Sequence, residues 1–101
     1  MSRSVTIERP GNPITRAEWE DWLNATPGFS ATNKIWGMNP RTGKPINIRS
    51  ESAGAWSRPG GKQDGYFEFY KGRIVPVDPD DDMIAKAKDI AQAFGARVLE
   101  S

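Results

Sequence analysis

The chain has 101 residues, of which 37% are hydrophobic and 27% charged, and its net charge is +1. That composition describes one folded α+β domain over residues 1–101, too short for a core plus an enzyme cleft walled by a second domain. It contains no cysteine and no histidine, which excludes disulfides, thiolate metal sites and every Ser–His or Cys–His catalytic pair, and removes the commonest general base.

Taken in chain order, Ser4–Glu8 alternates with Val5 and Ile7 on one face and reads as a strand. Arg9-Pro10-Gly11-Asn12-Pro13 breaks it. Thr15 and Glu18 have the spacing of a capping box, and Ile14 and Trp19 that of a hydrophobic staple. Trp19, Trp22 and Leu23 then form one face of a short helix that Pro27-Gly28 stops. Lys34–Met38 and Pro45–Ile48 read as strands joined by the turn Asn39–Lys44.

The stretch 50–65 has the least regular pattern, with a short strand expected at Ala55-Trp56-Ser57. Tyr66–Tyr70 places Phe67 and Phe69 on one face, Lys71-Gly72 turns, and Arg73–Val77 returns. Pro76 puts this strand at an edge or marks its end. Asp78 or Asp80 caps a second helix whose stripe runs through Met83, Ile84, Ala87, Ile90, Ala91 and Phe94, with Gly95 as its stop. Ala96–Glu100 closes the chain as a strand. The order β-α-β-β-(β)-β-β-α-β, with one apolar face per helix, predicts a two-layer sandwich: a mostly antiparallel sheet with both helices on one face. Each large apolar side chain fully buried between the layers is worth about 1.5–3 kcal/mol.

The patterns that suggest chemistry mostly have plainer readings. Asp78, Asp80 and Asp82 have calcium-loop spacing, but Met83 stands where that loop needs glycine, so the run reads as a helix start with its carboxylates at the positive end of the dipole. Gly43-Lys44 and Gly61-Lys62 lack the earlier glycine of a phosphate-binding loop, since Met38 and Trp56 occupy that place. Glu20 and Asp21 point away from the Trp19 face and do not form a facing pair of carboxylates. The sequence therefore predicts no catalytic residue, no metal and no cofactor; it is not that of an enzyme.

What stands out is a cationic and aromatic set. Trp36, Arg41, Arg49, Trp56, Arg58 and Lys62, with Lys44 among them, have the residue types of a binding hot spot. They are taken as the partner-binding residues. The same types suit single-stranded nucleic acid, which is the alternative partner, although the net charge is small and no recognition motif is present. The first residues contain no apolar signal core and no run of 18 apolar residues occurs, so a cytoplasmic protein with no membrane attachment is expected.

Three segments, Ile14–Trp19, Asn39–Ile46 and Ile90–Val98, resemble a group of small bacterial proteins of about this length, mostly uncharacterised. They share an early EW helix, an NPxTGxxI turn, a Phe/Tyr-rich strand before a glycine turn, and a closing helix ending in LGAxV. The resemblance spans most of the chain and its motifs are structural, so it transfers no catalytic residue. Small single-domain proteins of this kind are often immunity proteins, which neutralise a cognate bacterial toxin by binding it. The resemblance thus implies a protein partner, a toxin. The strong acidic balance common in inhibitors of nucleases is missing here, which argues against a nuclease as that toxin.

Overall fold

The computed structural model describes residues 5–38, 41–61 and 63–100, and at 36–38, 46 and 61 only the backbone. The elements are β1 (Val5–Glu8), α1 (Arg16–Ala25), β2 (Phe29–Met38), β3 (Pro45–Trp56), β4 (Gly65–Tyr70), β5 (Arg73–Pro76), α2 (Asp81–Phe94) and β6 (Arg97–Glu100). The strands form one antiparallel sheet in the order β2-β3-β4-β5-β1-β6. Both helices lie on the same face, and one cluster joins Trp19 and Leu23 of α1 and Met83, Ile84, Ala87, Ile90 and Ala91 of α2 to Val5, Ile7, Phe67, Phe69 and Ile74 of the sheet. This is the expected two-layer α+β arrangement.

Local chemistry sets the helix starts. Thr15 Oγ1 accepts from Glu18 N at 3.1 Å and the Glu18 carboxylate accepts from Thr15 N, which completes the capping box. Ile14 and Trp19, the staple pair, are both buried. At α2 the cap is Asp80 and not Asp78: its Oδ1 accepts from Met83 N at 3.0 Å. Pro79 therefore precedes the cap instead of opening the helix. Gly95 closes α2, its N–H donating to Ala91 O and Gln92 O.

Three strand readings change. β2 begins at Phe29, five residues earlier than expected, and β3 runs on through 50–56, absorbing the separate strand at Trp56. The sheet thus has six strands among the described residues. Pro76 ends β5, which is an interior strand between β4 and β1. The cause of β3's length is above it. A Cβ on Gly54 would stand 2.4 Å from Leu23 Cδ2 and 3.1 Å from the Trp19 ring, so only a bare backbone lets α1 sit this close to the sheet. Gly65 lies closely beneath Met83 of α2, where a Cβ would meet the sulfur at 3.2 Å and the Met83 side chain would have to give by a few tenths of an ångström.

Arg9, just after β1, ties three elements together. Its guanidinium holds Glu18 of α1 at 2.8 and 3.0 Å and donates to Phe94 O at the end of α2. Hydrogen bonds from Arg9 first, and from Thr15, hold the Glu18 carboxyl down at about 2. A carboxylate whose pKa falls on folding adds stability that is complete above its ordinary value of 4.5 and disappears as pH drops toward 2. Glu18→Gln is expected to remove that component: in acid titrations followed by circular dichroism, the stability difference between wild type and variant narrows below pH 4.5. An unchanged difference down to pH 2 would show that the pair does not act through its charge.

Among the described residues no helix covers the sheet's second face, which carries charged side chains together with the exposed Tyr70 and Leu99. Across it Glu8 accepts from Arg97 at 2.8 Å and lies 3.7 Å from Arg73. Among the described residues, no helix is long and apolar enough to cross a membrane.

Candidate binding site: a projecting basic hairpin

β4 pairs with β3 only along Ala53–Trp56. β2, the other neighbour of β3, is an edge strand and pairs with it all the way to Met38↔Pro45. Lys34–Met38 and Pro45–Arg49 are therefore a two-stranded ribbon that runs on beyond the six-stranded sheet. Five residues per leg give it a reach of about 17 Å. At the tip, Gly43 takes φ +68, a left-handed value open to glycine, and Thr42 Oγ1 accepts from Lys44 N at 3.3 Å.

The ribbon is set off by an irregularity. The register passes from Thr32↔Ala53 to Lys34↔Arg49, so Asn33 alone stands against Ser50, Glu51 and Ser52. Extra residues in one strand bend it and sharpen its twist. This bend is fastened on two sides: Ser50 Oγ donates to Glu68 of β4 at 3.1 Å, and Ser52 Oγ donates to Glu20 of α1 at 3.0 Å. Both serines are buried. Glu20 is also gripped by Arg16 at 3.0 Å, and its carboxyl lies below its ordinary pKa because of Arg16 first and Ser52 second. Arg16, Glu20, Ala31, Thr32, Asn33, Glu51 and Ser52 line a shallow cavity of about 360 Å³ at the ribbon's root.

Charge distinguishes the ribbon from the body. Residues 22–50 include Lys34, Arg41, Lys44 and Arg49 and not one acid; the remainder has ten basic residues against the chain's full thirteen acids. Lys34 and Arg49 are exposed and directly opposite each other, a pairing that brings Cβ atoms to roughly 4.5–5.5 Å and is destabilising for like charges. Neither has an acid within ion-pair distance among the described residues. On the ribbon's other face Ile48, opposite the buried Ile35, is 51% exposed. Converting the like-charge pair to an opposite-charge one by Lys34→Glu is expected to raise stability by ~0.2–1 kcal/mol in urea unfolding. A loss of stability would mean that the two cations do not repel across the strands.

The six residues expected to bind a partner separate into two groups. Arg41, in the tip turn, and Arg49, on β3, are exposed on the ribbon. Trp36 lies in β2 opposite Asn47, and its side chain falls outside the described residues, as does Lys62 altogether. Trp56 is at the far end of β3 and half-buried. Its ring lies 6.3 Å from those of Phe29 and Phe67, with Lys86 Nζ 5.3 Å from its centroid. Arg58 donates to Gln63 O at 2.7 Å and pairs with the Asp80 cap, with only 12% of its side chain exposed. Trp56 and Arg58 thus have structural partners, and they lie at the other end of β3 from Arg41 and Arg49. Lys34 belongs with the ribbon cations, and the long acid-free span was the signal that marks it.

Among the described residues no group of acids is arranged to hold a metal ion. Asp80, at the centre of the acidic run, is occupied as the α2 cap. No family model, no curated protein and no solved structure matches the chain.

Proposed function

We propose that this protein is a non-enzymatic, cytoplasmic binding module that neutralises a protein partner, of the toxin-immunity type, and that the Lys34–Arg49 ribbon is its contact element. The observation that supports this reading is the ribbon itself: a two-stranded extension that carries two exposed cations directly opposite each other. Like charges held opposite each other, with no acid at ion-pair distance among the described residues, are characteristic of surfaces shaped for binding rather than for stability. A nucleic-acid partner is the second reading, favoured by the same acid-free run of cations.

Capture from the producing cell tests the assignment. Wild-type bait is expected to recover one protein stoichiometrically, with its activity lost in the complex. Lys34→Glu/Arg49→Glu bait, shown to be folded by circular dichroism, is expected to recover none. Equal recovery by both baits would remove the ribbon as contact element. A recovered protein that stays active would remove the neutralising role, and nucleic acid in place of protein would move the assignment to the second reading.

A further inference from the structure

We infer that the partner receives the ribbon in a carboxylate-lined cleft, in which the repelling pair Lys34 and Arg49 is neutralised by acidic side chains of the partner protein. This rests on the ribbon being the contact element. Three observations point to a cleft and to carboxylates. First, the ribbon offers different chemistry on its two faces, with Lys34 and Arg49 on one and the half-exposed Ile48 on the other. An element recognised on both faces has to be entered between walls and not laid on a flat surface. Second, the two cations face each other with no acid within ion-pair distance among the described residues, so an anion placed between them relieves a repulsion and gains two charge-assisted hydrogen bonds at once. Third, the positive charge is local.

That third point separates a protein cleft from a nucleic acid. A duplex carries one negative charge per roughly 1.7 Å of its axis, so it continues past any ribbon of this length onto whatever lies at the root. There it meets Glu51 and Glu20, two carboxylates that share one cation, Arg16, on a body with more acids than bases. A cleft whose acids are confined to its interior meets only the ribbon. The aliphatic Ile48 also fits an apolar wall better than a phosphate chain. The kind of partner that matches is a protein whose functional cleft is built on carboxylates, such as one that uses paired acids for acid–base chemistry. A nuclease cleft, which must attract phosphate, presents the wrong sign.

The test uses the full chain, isotope-labelled, with two polyanions as probes at low salt: a short poly-L-glutamate and a DNA duplex of matched total charge. Poly-L-glutamate is expected to shift amide signals at 34–49 and to bind more tightly than the duplex. Lys34→Gln/Arg49→Gln is expected to weaken that binding about 10-fold or more, because each cation contributes a charge-assisted hydrogen bond. Lys88→Gln, on the exposed side of α2, leaves it unchanged. Tighter binding of the duplex, with shifts still at 34–49, would overturn the carboxylate cleft and leave the ribbon as contact element. Shifts elsewhere, or none with either probe, would overturn both. Equal weakening by Lys88→Gln would show attraction to net charge alone and overturn the cleft as well.

Discussion

Trp19→Ala is expected to cost about 3–5 kcal/mol in denaturant unfolding, a large part of the roughly 5–15 kcal/mol available to a domain of this size. The ring is completely buried and lies where both helices meet the sheet. It stacks on Trp22 at 5.6 Å and touches Phe94 at 6.2 Å, and its edge is beside Gly54. Alanine leaves a cavity that three elements border and none can fill without moving. Trp19→Phe is a sharper test. The indole Nε1 is buried and has no hydrogen-bond partner among the described residues, and a buried orphan donor costs about 1–3 kcal/mol. Phenylalanine discards that donor along with some volume, so its cost should be well under half that of alanine. If the two variants were equally unstable, the orphan N–H would carry no penalty in this core.

The second large effect is expected at Gly54. Gly54→Ala inserts one methyl group where Leu23 Cδ2 would be 2.4 Å away, and Leu23 is itself buried. Overpacking of this sort costs about 1–3 kcal/mol. Its origin can be read from a double-mutant cycle. Leu23→Ala alone leaves a cavity and costs about 2–5 kcal/mol, but in its presence the Gly54→Ala methyl loses its closest clash and keeps only the Trp19 ring, 3.1 Å away. The pair should therefore be less destabilising than the sum of the two single changes, with a coupling of roughly 0.5–3 kcal/mol. Strict additivity would show that the alanine strains the strand and not the contact between α1 and β3.

These two residues also show which parts of the fold are legible in the sequence. The helices announce themselves because their signals are local: Thr15 with Glu18, Ile14 with Trp19, and the stripe from Met83 to Phe94 each lie within a few turns of chain. Phe67 and Phe69 are equally plain, since strong β-formers alternate there. The second half of β3 is hidden for the opposite reason. Ser50-Glu51-Ser52-Ala53-Gly54-Ala55 has little intrinsic preference for a strand. It becomes one because α1 needs small residues beneath Trp19 and Leu23, a requirement that comes from a helix thirty residues away.

The candidate site divides in the same manner. Arg41 and Arg49 could be picked out by type, but their separation from Trp56 and Arg58 depends on where β4 stops pairing with β3, and no local signal encodes that. Arg58 reads as an exposed contact because its loop is rich in glycine and proline; its pairing with the cap of α2 joins residues 22 positions apart. The charge of the ribbon was present in the sequence throughout. It is concealed in a whole-chain balance of +1, because the acids that cancel it lie entirely outside residues 22–50.

The strand order has a consequence for how the molecule forms. β2 through β5 follow one another in both sequence and space, so the ribbon and the strands beside it can zip up from neighbouring turns. β1 is different: it lies between β5 and β6, opposite Ile74 on one side and residues 97–100 on the other. Closing loops of that length carries an entropic cost that is repaid only once both flanking strands exist. During synthesis β1 can meet β5 through Ile7 and Ile74 before β6 exists, but its longer pairing, residues 5–8 with 97–100, waits for the last strand. The ribbon is thereby ready early, while completion of the core is the slow event. Substitutions in β1 and β6 should accordingly change refolding rates less than unfolding rates, the reverse of those in the β3–β4–β5 meander.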